Sequence, residues 1–298
     1  MKNDLDFSPL ESVRAYRDFA ELNGFNYDIY ASELNPGPGT LMTCFDPRFM
    51  QLTNEISGFL GGLEFSFFHL SGYLVGGNQR YVQNATVIKF VLPRTLPHFV
   101  INAHLNDIHG SVLPTFFDRS QRVVLEGDFS KFFGVYAPTN YESSVVNLLA
   151  PDIMEALLMN AAYCDIEIID NCLYFYWPSH PESGREVQKI FTTACVVMDE
   201  MRDKLIRSDI YVTSAHKEAH THGKGVHLKR HSVTWAIIGA ISLSFLGKLL
   251  SDMYVKDSPL AQQILITTIF IIAALYGLYV GFKKHRLKKE LEHRNKVI

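Results

Sequence analysis

"SPLAQQILITTIFIIAALYGLYVGF", Ser258 to Phe282, runs for 25 residues without a charge. A helix rises about 1.5 Å per residue, and roughly 20 mostly apolar residues cross about 30 Å of hydrocarbon. The segment therefore predicts a membrane span with length left over for tilt. Just upstream, "HSVTWAIIGAISLSFLGKLLSDMYV", His231 to Val255, predicts a second, weaker span. It is apolar from Val233 to Gly247 and then carries Lys248 and Asp252, where a long lysine stem reaches the interface. Together they read as a transmembrane hairpin over 232–282, with helices at about 232–254 and 259–282.

The flanking charges orient the hairpin. Lys217, Lys224, Lys229 and Arg230 precede it, and Lys283, Lys284, Arg286, Lys288, Lys289, Arg294 and Lys296 follow it. The turn "SDMYVKDSP" offers only Lys256. Positively charged flanks stay cytoplasmic, so both termini are expected inside a cell membrane crossed twice, with the 283–298 tail a basic cytosolic extension. The first residues, "MKNDLDFSPLES", hold no apolar run resembling a signal peptide.

The formal net charge of −3 conceals an asymmetry. Residues 216–298 hold 13 of the 28 Lys/Arg and 5 of the 31 Asp/Glu, which leaves 15 basic and 26 acidic side chains in 1–215. An acidic domain is a poor ligand for nucleic acid, whose affinity comes mainly from neutralised phosphates, so no nucleic-acid partner is expected. The basic segments beside the spans suit anionic head groups of the lipid bilayer.

Residues 1–210 predict a cytosolic α+β domain with a mixed sheet, because strands and helices follow one another without β-α-β alternation. Ser8, Pro9 and Glu11 form a capping box for a first helix that Gly24 closes. Asp46-Pro47 reads as the start of a short helix with Phe49, Leu52, Ile56 and Phe59 on one side. Strands are expected at Leu63 to Val75, Ala85 to Leu92 and Pro97 to Asn102, and in "QRVVLEG" and "FGVYA". Asp128 to Phe133 reads as a loop or a single turn, and Pro151 opens the helix "PDIMEALLMNAAY". "CDIEIID" and "CLYFYW" read as a hairpin turned at Asp170-Asn171. Glu182 to Arg207 is expected to be a long helix, burying Val187, Ile190, Phe191, Ala194, Val197, Met198, Met201 and Leu205 at a 3.6 period.

"LPRTLPHFVI" (Leu92 to Ile101) and the run from "LEGDFSKFFGVYAP" to "CDIEIIDNCLYFYW" (Leu125 to Trp177) resemble hypothetical bacterial membrane proteins of a domain-of-unknown-function family. The shared pattern is an acidic-aromatic segment with phenylalanines four apart (Phe129 and Phe133), a "VYA" strand, a Pro-started helix and a closing hairpin. The resemblance covers about 45–210 and implies a compact cytoplasmic domain beside membrane helices. No activity, substrate or catalytic residue comes with it.

The residues offer little chemistry. No P-loop, dinucleotide fingerprint, H-E-x-x-H or G-x-S-x-G is present. No catalytic residue and no cofactor is expected. "GFLGG" (Gly58 to Gly62) and Gly76-Gly77 read as turns. Asp165 and Glu167 share a strand face, and a solvated outer face is the simpler reading than acid–base work or cation binding. His98, His104 and His109, with Asp107 among them, read as surface or loop histidines. Cys44, Cys164, Cys172 and Cys195 lack metal-site spacing and read as buried thiols.

The linker 211–231 is the most unusual stretch. "HKEAHTHGKGVHLKRH" holds His216, His220, His222, His227 and His231. His216, His220 and His222 are weak metal candidates, since imidazole ligates zinc, nickel or copper. The same histidines could sense pH. Gly223 and Gly225 favour a flexible tether instead. Within the spans, Ala236, Ala240 and Ser244 lie four apart, as do Ala273, Gly277 and Gly281. Small residues at this period let helices approach closely, within one hairpin or between protomers of a homo-oligomer. The sequence thus favours a non-enzymatic interaction or scaffold module for an unknown protein partner. The alternatives are a membrane-associated enzyme with a dispersed site and a pH- or metal-responsive sensor.

Overall fold

The computed structural model describes residues 8–30, 36–75, 82–106, 112–113, 115–207, 227–228, 230–232, 285–286 and 289. The chain divides into two units, Met1–Lys229 and Arg230–Ile298. Both expected membrane spans and their small-residue stripes lie outside the described residues. So do His216, His220, His222, Asp107 and His109. Among the described residues no helix is long and apolar enough to cross a membrane.

The first unit is the expected α+β mixture. In chain order it runs α1 (Ser8–Asn23), β1 (Asn26–Tyr30), α2 (Thr40–Cys44), β2 (Gln51–Leu60), β3 (Leu63–Gly72), β4 (Gln83–Ala103), β5 (Thr115–Phe117), β6 (Arg122–Val123), α3 (Phe129–Phe132), β7 (Phe133–Tyr136), α4 (Glu142–Leu148), α5 (Pro151–Asn160), β8 (Asp165–Trp177) and α6 (Gly184–Arg207). The described part of the second unit includes a short strand, β9 (Arg230–Ser232).

A seven-stranded sheet, antiparallel in every described pairing rather than mixed as expected, organises the first unit around the 21-residue β4. β3 lies along the first half of β4 and β7 along the second, while β8 follows its other edge from Thr86 to Ile101. Where two strands were expected from the prolines, β4 is continuous. Pro93 and Pro97 fall where the β4–β8 register slips, between Val91 and Leu96 and between Leu96 and Phe99. A residue without an N–H is tolerated where the ladder is already broken.

Two further expectations change. Asp46-Pro47 does not start a helix: Asp46 Oδ1 accepts from the Arg48 backbone N–H in a local turn, and β2 follows. Leu52 and Ile56 are buried, but Phe59 is 73% exposed and Phe49 41%, so no four-residue apolar face exists. Leu52 and Ile56, four apart, look like one helical face, but β2 is a strand that bulges between Thr53 and Ile56, so Leu52 pairs with Leu70 and Ile56 with Phe67 on opposite faces of the sheet. Gly61 and Gly62, both at positive φ, form the tight turn between β2 and β3.

The hairpin expected at Asp170-Asn171 is one strand. Both halves of β8 pair with β4, and Asp170 takes a left-handed φ of 53°. Asn and Asp tolerate that conformation because their short side chains bond locally. The turn signal was sound, but it makes a bulge rather than a reversal. The left-handed backbone at Asp170 shifts parity, so Ile169 joins Cys172, Tyr174 and Tyr176 in one buried cluster.

The two faces of the sheet carry different partners. On one, Phe65 and Phe67 of β3 meet Phe191 of α6, which also touches Phe19 of α1 and Phe25. The expected α6 stripe is buried, apart from Ile190 at its border. On the other, Leu41, Met42 and Phe45 pack with Val87, Val100, Tyr174, Tyr176 and Leu228. Leu228 comes from the histidine-rich linker, so that segment is part of the second core.

Candidate functional site

Glu167 is the centre of the most heavily bonded polar cluster in the domain, and it has no solvent exposure. Its strand mate Asp165 is equally buried. The expectation of a solvated outer face is therefore wrong for both. Period-2 alternation assigns the two carboxylates to one face but does not say which face is wet, and here both faces of β8 are covered. Asp165 Oδ1 accepts from the Ala103 N–H at 2.7 Å and from Asn106 Nδ2 at 3.4 Å, fixing the end of β4.

Four donors converge on the Glu167 carboxylate. The Thr40 N–H donates to Oε2 at 2.8 Å, and the Thr40 hydroxyl donates to Oε1. The Tyr176 hydroxyl donates to Oε2 at 2.7 Å. His98 Nε2 completes the set, 2.7 Å from Oε1. His98 is 1% exposed, which corrects its reading as a surface histidine. Its Nδ1 accepts the backbone N–H of Leu228 at 3.2 Å. That bond fixes the tautomer: Nδ1 holds a lone pair, and Nε2 carries the hydrogen given to Glu167. The ring is then neutral, and the buried negative charge is balanced by four hydrogen bonds instead of a cation. Burial works to raise the Glu167 pKa, but the bonds from His98, Thr40 and Tyr176 outweigh it and hold the carboxyl below its ordinary range.

The four donors come from three elements: both Thr40 groups from α2, His98 from β4 and Tyr176 from β8 itself. The turn "NPGPG" sets α2 so that Thr40 is its first residue. This turn needs its glycines for close approach. A Cβ at Gly37, which sits at φ +79°, would overlap the Tyr174 hydroxyl, and one at Gly39 would lie 2.5 Å from Tyr176 Oη. Tyr174 and Tyr176 stack at 5.6 Å between centroids, and the Tyr174 hydroxyl donates to the Pro36 carbonyl at 2.8 Å. The bulge at Asp170 places Tyr176 on the Glu167 side.

The linker enters at the same place. His227 Nε2 lies 2.9 Å from Asp170 Oδ1, and the His227 ring meets His98 edge-on at 5.8 Å. One residue of β8 thus makes the bulge and also holds His227. The sequence signals near this cluster were separate: a turn at Asp170-Asn171 and a histidine-rich linker that includes His227. Nothing in the spacing linked positions 40, 98, 167, 176 and 228, which the sheet brings together.

The remaining candidates stay apart. His104 is partly exposed on a turn after β4, with Nδ1 3.0 Å from the Lys131 carbonyl. None of the four cysteines forms a disulfide, and Cys164 and Cys172 are buried while Cys44 and Cys195 are partly so. Burial pushes the Cys164 and Cys172 thiols up and that of Cys195 to about 12, so these three are poor nucleophiles. Among the described residues, no group of three or more His, Cys, Asp or Glu is placed to hold a metal ion. A shallow surface groove of about 500 Å³ lies between α5 and α6, lined by Asn160, Arg185, Gln188, Lys189 and Thr192 among others.

No protein-family model matches the chain, and no curated protein matches it in sequence. Among solved structures, it is similar to the crystal structure of the mycobacterial trehalose monomycolate transport factor A, TtfA. The identity is 15%, over 64% of this chain and 94% of that one, with a TM-score of 0.46.

Proposed function

We propose that this chain is a membrane-anchored, non-enzymatic interaction module, its α+β domain presented at the cytoplasmic face by the carboxyl-terminal hairpin. The observation that carries the reading is the use made of Glu167. Its four hydrogen bonds all go to protein donors, and one of those donors, His98, in turn holds Leu228 of the linker. The strongest polar constellation of the domain is thus spent on fastening chain segments together, the one leading toward the spans among them. A site for turnover would leave some of that capacity open to a substrate.

The edge of the sheet supports the same reading. Among the described residues β1 has a strand neighbour on one side only, and Tyr30 at its end is 74% exposed, with Ile29 41% exposed. An edge strand of five residues with an exposed tyrosine and isoleucine offers both main-chain bonds and apolar anchors to a partner. The lipid bilayer is the second partner in this reading, and the resemblance to bacterial membrane proteins fits it.

Photo-crosslinking in native membranes provides the test. A photoreactive residue in place of Tyr30 should capture a discrete protein, and reciprocal capture from that protein should return to β1. The same residue in place of Val124, which is 81% exposed elsewhere, should not. A single small molecule co-purifying in stoichiometric amount and turned over by the protein would defeat the proposal in favour of the enzyme reading. The sensor reading rests on His227, whose bond to Asp170 places one linker histidine against a carboxylate.

A further inference from the structure

On the opposite face of the sheet from Glu167, three buried polar atoms have no hydrogen-bond partner: Tyr16 Oη, His69 Nδ1 and His180 Nδ1. They belong to one place. The His69 and His180 rings lie 3.9 Å apart between centroids, and the Tyr16 ring stacks on His180 at 5.9 Å. Thr86 is the cross-strand neighbour of His69 on β4 and also lies beside the Tyr16 hydroxyl, which brings that hydroxyl toward His69. Tyr16 is fully buried and His69 is 8% exposed.

The bonds around the cluster say what the orphan atoms are. Ser12 Oγ lies 2.7 Å from His180 Nε2 and 3.5 Å from the Pro181 carbonyl. A serine that donates to that carbonyl accepts from His180 Nε2–H, which leaves His180 Nδ1 a bare lone pair. Both rings are held neutral. Burial and the neighbouring His180 lower the His69 pKa to about 4, and burial lowers that of His180. Two neutral imidazoles in contact, each with an unused nitrogen, and a phenol oxygen that has only the Thr86 hydroxyl beside it form a set of donors to a cation. Buried unpaired polar groups are rare in folded proteins, and a bound ion or water commonly supplies the missing partner.

We propose that His69, His180 and Tyr16 form a binding site for one divalent transition-metal ion of the zinc class. Imidazole nitrogen and phenolic oxygen suit such ions better than magnesium or calcium, which take carboxylate, carbonyl and water oxygens. Metal–nitrogen bonds of about 2.0–2.1 Å let a single ion join two nitrogens up to about 4 Å apart. His180 sits in the loop after β8 and is only partly buried, giving the ion a way in. Ser12, held against His180 Nε2, is the outer contact that fixes the ring for its ligand. The site ties α1, β3 and the loop before α6 together. It is separate from the linker histidines, which are the competing place for a metal.

Cobalt(II) titration of the purified full-length chain in detergent tests this, read by visible absorption and by melting temperature. One equivalent should bind, give absorption typical of low-coordinate nitrogen and oxygen ligands, and raise the melting temperature. The H216A/H220A/H222A variant should keep that signal. H69Q and H180Q should each weaken binding at least tenfold and abolish the thermal shift, and Y16F should change the absorption while the fold is retained. Because His180 lies on a partly exposed loop, H180Q decides the matter if H69Q does not fold. Loss of the signal in the linker variant with retention in H180Q would overturn the assignment. So would no binding above that of buffer, which would make the occupant of the cluster a water molecule only.

Discussion

Replacing Glu167 by Ala removes the acceptor of four hydrogen bonds in a place that water does not reach. Each buried donor left unpaired costs about 1–3 kcal/mol. The Thr40 and Tyr176 hydroxyls can turn toward other acceptors, but the Thr40 N–H and the His98 ring cannot do so without moving α2 or Leu228. Two donors left unpaired set the expected loss at about 2–6 kcal/mol, a large share of the 5–15 kcal/mol typical of a domain. Glu167→Gln keeps the volume and one acceptor, so it should cost less, about 1–3 kcal/mol. The two variants also differ with pH. The folded carboxyl titrates below its ordinary 4.5, so its stabilisation is fully present above that pH and is lost as pH falls through the lower folded value. Wild-type stability should drop below about pH 4.5, and Glu167→Gln should flatten that limb. Urea unfolding of the full chain in detergent, followed by Trp177 fluorescence, measures the loss. Amide exchange at Leu228 reports whether the linker is released. If Glu167→Ala unfolded within 1 kcal/mol of wild type and Leu228 exchanged no faster, the carboxylate would not be fastening these segments.

Three further outcomes follow from the packing and the charges. Gly39→Ala pushes a methyl against Tyr176 Oη and the Tyr174 ring, and should cost about 1–3 kcal/mol in the same unfolding assay, as overpacked sites do. Phe191→Ala opens a cavity between Phe19, Phe25, Phe65 and Phe67. It should cost about 3–5 kcal/mol, and an unchanged melting curve would show that this face of α6 is not core. In the membrane, single cysteines in a cysteine-free background should react with an impermeant reagent on intact cells at Ser258 and not at Ser8 or Asn295. The reverse pattern would invert the proposed topology.

The large elements were legible because their signals are local. The α6 stripe, Val187 to Leu205, repeats over about five turns, and only one packing surface satisfies it. The first helix carries its own start and stop, and Pro151 opens α5 as a proline at a first turn should. Errors came where the chain departs from a regular period. Leu52 and Ile56 have helical spacing, yet the bulge in β2 sends them to opposite faces of the sheet. Pro93 and Pro97 looked like strand ends because a proline normally breaks a ladder, yet β4 runs through them by slipping its register.

The Glu167 cluster was hidden for a different reason. Alternation said correctly that Asp165, Glu167 and Ile169 share a face, and the same rule placed Cys172, Tyr174 and Tyr176 together on the other half of the strand. Counting through Asp170 and Asn171 without a bulge puts those two sets on opposite sides, and Glu167 then has no hydroxyl within reach. The left-handed Asp170 reverses the count, and the Tyr176 hydroxyl arrives 2.7 Å from Glu167. A carboxylate with Tyr176, Thr40 and His98 around it can be buried, and one without them must stay wet. Burial of Glu167 therefore depends on the conformation of a residue three positions away. That same residue holds His227 of the linker, so the bulge that makes the carboxylate buriable also provides the seat for the histidine-rich segment.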